Sequence, residues 1–334
     1  MVNIIIALAI GLSIINIVGV FFAKQNPFKA ILSFPVKIIP VIIFLLFVDY
    51  VFHALRLMVV VKSMGYKISF FQAFENVFFN IYFSFVTPMS IGGQPFQIYH
   101  LSKIGVSTYD ATNIAISRMF IGILVVFAID ITLISRVIGI LRGTVGLTFV
   151  LLGFLVTLVI SLAGFFAFMN KKFLFGVFKF INKLTKSQKL KDKEKAAIEW
   201  IDKMSTSTKT LFFKNYWALV IDFALGVLAS LITPLQLKLC IEAISNTEIP
   251  LSFIWGILMM LNTIVYYIPT PGSSGGIEGF YQLVFSHLYD TGSAMTGILM
   301  YRVITYYLIV FTGTILIWKF ARFREDTNVS STKI

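Results

Sequence analysis

Apolar residues along this chain form long uninterrupted stretches, and charged or turn-forming residues separate each stretch from the next. About 20 apolar residues in a helix cross the ~30 Å hydrocarbon core of a bilayer. The pattern therefore predicts an all-α polytopic membrane protein with about six full spans and two shorter helical hairpins. The apolar stretches cover 3–23, 36–61, 70–87, 108–135, 143–168, 215–243, 251–268 and 293–319.

The length of the first stretch, Asn3–Ala23, is compatible with either a signal peptide or a membrane span. Lys24, Gln25 and Pro27 follow it, where a signal peptide would carry small residues for cleavage. We therefore interpret this stretch as a retained first span.

The composition supports a lipid environment. Of 334 residues, 58% are hydrophobic and 13% are charged, whereas about a quarter of a typical soluble domain is charged. The single cysteine, Cys240, excludes a disulfide framework within the chain. The three histidines (His53, His100 and His287) are far apart in sequence. We therefore predict no metal site and no cofactor.

The charge distribution predicts which loops face the cytoplasm. The net charge is +13, and most basic residues lie in segment 170–214 and at the C-terminus. Lys and Arg beside apolar spans are typical of cytoplasmic loops. We therefore expect no nucleic acid partner, a cytoplasmic C-terminus, and a basic cytoplasmic linker at 170–214 that lies on anionic headgroups. Lys67 and Lys103 place their loops inside, and Glu248 and Asp290 place theirs outside.

Two loops share the pattern Thr-Pro-x-Ser-x-Gly-Gly, at 87–93 and at 270–276. Each follows an apolar stretch and precedes a shorter one rich in aromatic residues. The flanking spans correspond as well, so we predict a duplication within a single membrane domain that covers 1–334. The first repeat is 36–168 and the second is 215–320.

The predicted sidedness makes this duplication an inverted repeat. If each motif is the tip of a re-entrant hairpin, the first hairpin enters from inside and the second from outside. Lys24, Lys29 and Lys37 would then lie outside, against the usual rule, but the larger linker outweighs them. Inverted repeats with broken helices are characteristic of secondary transporters.

Pro and Gly in the tips free backbone N–H groups at membrane depth, where they must be buried in protein or line a wet cavity. N–H groups at a half-helix start, together with Ser and Thr hydroxyls, can bind phosphate. The alternative is that the glycines only allow close packing of the hairpins, and both can hold.

Arg118 and Arg302 lie near the middle of their predicted spans. An Arg at that depth costs at least ~2.5–3.5 kcal/mol, so it should have a partner. Two interpretations stay open: an ion pair with Glu278, Asp130 or Glu75, or a phosphate-binding pair. Glu278 is either a proton-coupling group or the resting partner of an arginine. We predict these substrate-binding residues: Thr87, Pro88, Ser90, Gly92, Gly93, Gln94, Gln97, Arg118, Thr270, Pro271, Ser273, Ser274, Gly275, Gly276, Glu278 and Arg302.

The segments Gly92–Tyr99, Gly105–Ser107 and Pro269–Gly279 resemble the lysylphosphatidylglycerol synthase transmembrane-region family. That family includes the flippase-like domain of multiple peptide resistance factor proteins. The resemblance covers roughly residues 5–325. Many members have an acid before the Pro and an Arg in the first loop, where this chain has Gln94 and Gln97. Many also have Arg before the Glu of the second loop, where this chain has Ile277.

The resemblance implies translocation of an anionic or aminoacylated phospholipid, or of a lipid-linked phosphate, in the bacterial cytoplasmic membrane. This activity would contribute to resistance to cationic peptides. Full-length members add a soluble domain that transfers lysine from aminoacyl-tRNA to phosphatidylglycerol. The residues after Lys319 are few and polar, so we expect no such domain and no catalytic residues here, although a lysyltransferase description could be inherited.

Two other functions stay open from the residues alone. A membrane-embedded lipid-phosphate transferase would need a base and usually an acidic metal-binding cluster, and the loops contain no Asp-x-x-Asp pair. A small-solute secondary transporter would use the same inverted architecture. A homodimer is also compatible with the sequence. No nucleotide-binding Gly-Lys-Ser/Thr loop occurs, so a gradient or no energy source would drive transport.

Overall fold

A computed structural model describes residues 31–141, 145–185, 194–245, 247–265, 268 and 270–318. These residues form helices joined by short loops, and the described parts contain no strand beyond one isolated bridge. The predicted span Asn3–Ala23, with Lys24 and Lys29, lies outside the described residues, as do Pro269, part of the linker and the tail from Lys319.

The helices follow the predicted apolar stretches closely. Ser69 caps the helix Phe70–Val86 with a reciprocal capping box to Gln72, and Asp290 caps the helix Thr291–Arg302. We number them α1 (Ile39–Ser63), α2 (Phe70–Val86), α3 (Gly93–Lys103), α4 (Thr108–Leu141), α5 (Val145–Met169), α6 (Lys171–Thr185), α7 (Glu194–Lys209), α8 (Tyr216–Ala229), α9 (Ile232–Glu242), α10 (Leu251–Val265), α11 (Gly276–Phe285) and α12 (Thr291–Arg302).

Five helical segments in the described parts are long and apolar enough to cross a membrane. They confirm the prediction of an all-α polytopic membrane protein. The last segment continues from α12 through a π-helical turn at Val303–Tyr307. The five segments are Val36–Ser63, Thr108–Gly139, Leu151–Met169, Tyr216–Glu242 and Thr291–Trp318.

The stretch predicted as one helix at 215–243 is interrupted between α8 and α9. Pro234 explains the interruption, because it has no N–H to donate to the carbonyl of Ser230, four residues earlier. Ser230 and Leu231 form a turn there, and the Ser230 hydroxyl donates to the carbonyl of Val227 at 2.7 Å. The segment remains apolar across the interruption.

Two pairs of short helices flank the repeated motifs. Helix α2 has 17 residues and α3 has 11, which correspond to lengths of about 25 and 16 Å. Helices α10 and α11 have 15 and 10 residues. The second helix of each pair is too short to cross ~30 Å of hydrocarbon.

The helices that correspond in the two predicted repeats, α1 and α8–α9, pack side by side in opposite directions. The side chain of Asn215, just before α8, donates to the carbonyl of Ser63 at the end of α1 at 2.6 Å. At the other end of the pair, Gln236 donates to the carbonyl of Ile42 at 3.1 Å. The duplication and its inversion stay predictions, and this antiparallel packing is the arrangement that they require.

Candidate functional site

Arg302 and Glu278 form a buried ion pair. Arg302 Nε lies 2.7 Å from Glu278 Oε1, and the two side chains are 4% and 0% exposed. Arg302 ends α12, and Glu278 lies in the first turn of α11. The pair matches one of the two interpretations that the sequence left open for Arg302.

The second repeated loop wraps around this arginine. Arg302 Nη2 donates to the carbonyl of Gly272 at 3.1 Å and to Ser274 Oγ at 3.4 Å. Glu278 Oε2 accepts the N–H of Gly275 at 2.7 Å. Gly272 has φ of +56°, and a Cβ there would lie 2.1 Å from Cε2 of Tyr306. The loop therefore holds Arg302 through its backbone, and glycine at position 272 allows that approach.

The ring of Tyr306 is a further contact of the Arg302 guanidinium. The guanidinium of Arg302 lies 4.1 Å from the centre of this ring, within the range of a cation–π contact. The Tyr306 hydroxyl oxygen lies 3.3 Å from the carbonyl oxygen of Pro271 and 3.4 Å from that of Phe85, and its single proton can be donated to either. Tyr306 therefore contacts the second loop and the end of the helix that leads into the first loop.

The first repeated loop is held by its own hydrogen bonds. Thr87 Oγ1 donates to the carbonyl of Phe83 at 2.6 Å and accepts the N–H of Gly92 at 2.9 Å. A Cβ at Gly93 would lie 2.1 Å from Ser84 Oγ and 2.8 Å from the carbonyl of Asn80. Glycine at position 93 thus allows close packing of α3 on α2, which favours the packing interpretation at this loop.

The two loops meet at their prolines. Pro88 and Pro271 form an isolated antiparallel bridge. The two motifs that the sequence singled out are therefore neighbours in space.

A cavity of about 270 Å³ lies beside this meeting point. Its wall is formed by α1, α2, both loops and α9 to α12. The predicted site residues Ser90, Ser273 and Arg302 line it, whereas Gln94, Gln97 and Arg118 do not. The other lining residues are Leu46, Asp49, Tyr50, Ile81, Phe85, Thr233, Gln236, Asn262, Gly272, Ile277, Tyr281, Tyr301 and Thr305.

Arg118 belongs to a different cluster. Its Nε lies 3.7 Å from Asp222 Oδ1, and its Nη2 lies 3.4 Å from the carbonyl of His53. Arg56 takes the shorter contact with the same Asp222 oxygen, at 2.7 Å. The partner of Arg118 is thus Asp222 and not one of the three acids that the sequence suggested. Its phosphate-binding role stays a prediction that no contact at the cavity supports.

Asp49 is a cavity residue that lies outside the set of site residues predicted from the sequence. It lines the cavity from α1, and its Oδ1 lies 3.7 Å from Nε2 of His53. Its side chain is 16% exposed. An acid in the middle of an apolar span was the available signal. The cavity wall therefore contains a carboxylate as well as the guanidinium of Arg302.

The described residues contain no group of three or more His, Cys, Asp or Glu side chains that could hold a metal ion.

The fold and this site define a class: an α-helical polytopic membrane protein in which two Pro- and Gly-containing loops meet beside a cavity with charged residues in its wall. The chain belongs to the family described as lysylphosphatidylglycerol synthase TM region, whose family model matches residues 4–313. No curated protein matches the chain.

Proposed function

We propose that this protein moves the headgroup of an anionic or aminoacylated phospholipid, or of a lipid-linked phosphate, between the leaflets of the bacterial cytoplasmic membrane. The observation that carries the proposal is the cavity between the two loops, which has Arg302 and Asp49 in an otherwise largely apolar wall. Family membership agrees with a role in lysylphosphatidylglycerol metabolism. Presentation of aminoacylated lipid on the outer leaflet would contribute to resistance to cationic peptides.

The size of the cavity suits a headgroup better than a whole lipid. Pockets for drug-sized ligands have volumes of about 300–1,000 Å³, and this cavity has about 270 Å³. A headgroup of a few polar atoms fits such a volume, while acyl chains need a path through the surrounding lipid. The protein would therefore shield only the part of the substrate that cannot cross hydrocarbon.

Arg302 is the proposed phosphate contact. Its guanidinium matches phosphate geometry, and in the described state it is occupied by Glu278 and by the second loop. An incoming phosphate would compete with Glu278 for the guanidinium, so that substrate replaces one buried ion pair with another. Asp49, in the same wall, would accept a headgroup amine where the substrate carries one.

Alternating access is the proposed route. The antiparallel packing of α1 and α8–α9 and the contact between Pro88 and Pro271 support two hairpins that enter from opposite faces with their tips together. Movement of one half against the other would then open the cavity to each face in turn.

The test is leaflet exchange of fluorescent phosphatidylglycerol in liposomes that contain the purified protein. We expect exchange with the wild type and a loss of at least about tenfold with Arg302→Gln, since a charged hydrogen bond is worth about 1.5–3 kcal/mol. Arg136→Gln is the matched control, because Arg136 bonds Ser252 and does not line the cavity. A folded Arg302→Gln protein that exchanges lipid at the wild-type rate contradicts the proposal.

The cavity could also enclose a small solute, so the same liposomes should be assayed for uptake of labelled lysine and phosphate. Uptake of lysine or phosphate without lipid exchange would contradict the lipid proposal and would identify a small solute as the substrate.

A further inference from the structure

Asp130 is a buried acid that the described site does not use. It lies in the second half of α4, within the candidate span Thr108–Gly139, and it is 0% exposed. Neither of its carboxylate oxygens has a hydrogen-bond partner among the described residues. Two other buried acids differ in this respect: Asp222 is paired with Arg56, and Glu278 with Arg302.

The neighbours of Asp130 can be read from the packing of its helix face. Residues three or four apart share a face, so Asp130 lies on the stripe that includes Phe127, Leu133 and Val137. The Phe127 ring centre lies 5.3 Å from that of Phe154 on α5. A Cβ at Gly256 on α10 would lie 2.9 Å from Val137 and 3.0 Å from Leu133. Asp130 therefore faces the seam between α5 and α10.

These two helices offer it no charge. Neither Val145–Met169 nor Leu251–Val265 contains a charged or titratable residue. On α8 the titratable residues are Tyr216 and Asp222, and Asp222 is committed to Arg56. The groups on α7 lie beside the first turns of α4, where Trp200 bonds Thr108 and Ser207 bonds Asn113. Those on α3 (His100, Lys103 and Tyr99) lie near its C-terminal end, which a short loop joins to the start of α4. On α4 itself, Arg136 is six residues away and bonds Ser252.

An ionised carboxylate without a partner is strongly disfavoured in such surroundings, and a buried acid of this kind takes up a proton instead. A proton bound at this depth can be released only when the helices around it separate and admit water. The protonation state of Asp130 is therefore linked to the conformation of the α4, α5 and α10 group.

We infer that Asp130 is the proton-carrying group that couples lipid movement to the proton gradient, an inference that rests on the proposed function. The carboxylate binds one proton from the side to which the open seam faces. The neutral acid is then buried as the seam closes, and the proton leaves as the seam opens to the other side. No redox partner is involved, since a proton is bound and released without electron transfer.

The first test is the protonation state, which does not depend on lipid transport. Infrared spectra of the purified protein at neutral pH should contain the C=O stretch of a protonated carboxylic acid, and Asp130→Asn should remove it. Asp110→Asn is the matched control on the same helix, because Asp110 accepts hydrogen bonds from Ser107 and Tyr66. If the wild-type spectrum lacks the band, or if Asp130→Asn keeps it, the inference is overturned.

The second test is coupling in liposomes that carry a pH difference, a pH-sensitive dye inside and fluorescent phosphatidylglycerol. One proton per lipid would give about a tenfold leaflet ratio for each pH unit. In the wild type and in Asp110→Asn, lipid should reach such a ratio while the dye reports a change of internal pH. In Asp130→Asn, lipid should become equally distributed between the leaflets, and the dye should report no change of pH. Asp130→Glu, which keeps the acid, should retain coupling if Asp130→Asn fails to fold.

The outcomes separate the two proposals. If Asp130→Asn keeps both the leaflet ratio and the dye signal, Asp130 is not the carrier, although lipid translocation stands. If the wild type exchanges lipid but ignores the pH difference, coupling by a proton is overturned. If the wild type moves no lipid at all, the proposed function and the coupling fail together, and the infrared band alone decides whether Asp130 holds a proton.

Discussion

Pro88 and Pro271 form an antiparallel bridge, although they belong to loops in opposite halves of the chain. Each proline occupies the same position of the shared Thr-Pro-x-Ser-x-Gly-Gly pattern. The contact brings the two half-helix starts together at the cavity and is the geometric basis of the proposed translocation.

Cysteines at these two positions should form a disulfide. Cα atoms across an antiparallel pair are about 4.5–5.5 Å apart, within the range of about 4.4–6.8 Å that disulfides require. We expect spontaneous oxidation of Pro88→Cys with Pro271→Cys in a Cys240→Ala background, measured by thiol labelling before and after reduction. Pro88→Cys with Ser245→Cys is the control and should stay reduced. Equal labelling of the two double variants would show that the tips do not meet.

Breaking the Arg302–Glu278 pair from one side should destabilise the protein. Removal of one partner leaves a buried charge uncompensated, which typically costs about 3–5 kcal/mol. Glu278→Gln and Arg302→Gln should each lower the thermal unfolding temperature in detergent, and the double variant should lose less than the sum of the two losses. Strict additivity of the two losses would show that the side chains do not interact.

The two arginines near Asp222 should differ in importance. Arg56 lies 2.7 Å from the Asp222 oxygen and Arg118 lies 3.7 Å from it. Asp222 is 0% exposed, so loss of its closer partner should cost about 3–5 kcal/mol. We expect a clearly larger fall in thermal stability for Arg56→Leu than for Arg118→Leu. The reverse order would contradict the described geometry.

Position 272 should not tolerate a side chain. A Cβ at Gly272 would overlap the ring of Tyr306, and overpacking of this kind costs about 1–3 kcal/mol. Gly272→Ala should therefore lower thermal stability and perturb lipid exchange through Arg302. Gly279→Ala is the control, because no atom lies within 4 Å of a Cβ there and alanine favours helix by up to about 1 kcal/mol. A Gly272→Ala protein as stable as Gly279→Ala would refute the close approach.

Asp290 should make stability depend on acidic pH. Its carboxylate accepts the N–H of Ser293 at the start of α12, and hydrogen bonds from Ser293 hold the pKa of Asp290 below its ordinary value of 3.8. Its contribution is therefore present above pH 3.8 and is lost as the pH falls through the lowered pKa. Asp290→Ala should lose about 1 kcal/mol at neutral pH, measured by thermal unfolding. The difference from wild type should shrink in acid, and a constant difference would contradict the cap.

The sequence predicted the spans well because long apolar stretches have few alternatives to a bilayer. The Arg302–Glu278 pair was among its options, since two charges near membrane depth need partners. The partner of Arg118 was missed, because Asp222 comes close only through the packing of α8 on α4. Asp49 was missed as a cavity residue for the same reason: the wall is assembled from many elements. The interruption after Ala229 was signalled by Pro234 but was hidden in an otherwise continuous apolar stretch.

The Tyr306 hydroxyl, which contacts the carbonyls of Phe85 and Pro271 from one turn beyond Arg302, has a consequence for any opening motion. Separation of the two tips must lengthen at least one of these two contacts, whichever half moves. A phenylalanine at position 306 would keep the ring over Arg302 and lose both contacts, so a single phenol oxygen helps to hold the two tips together.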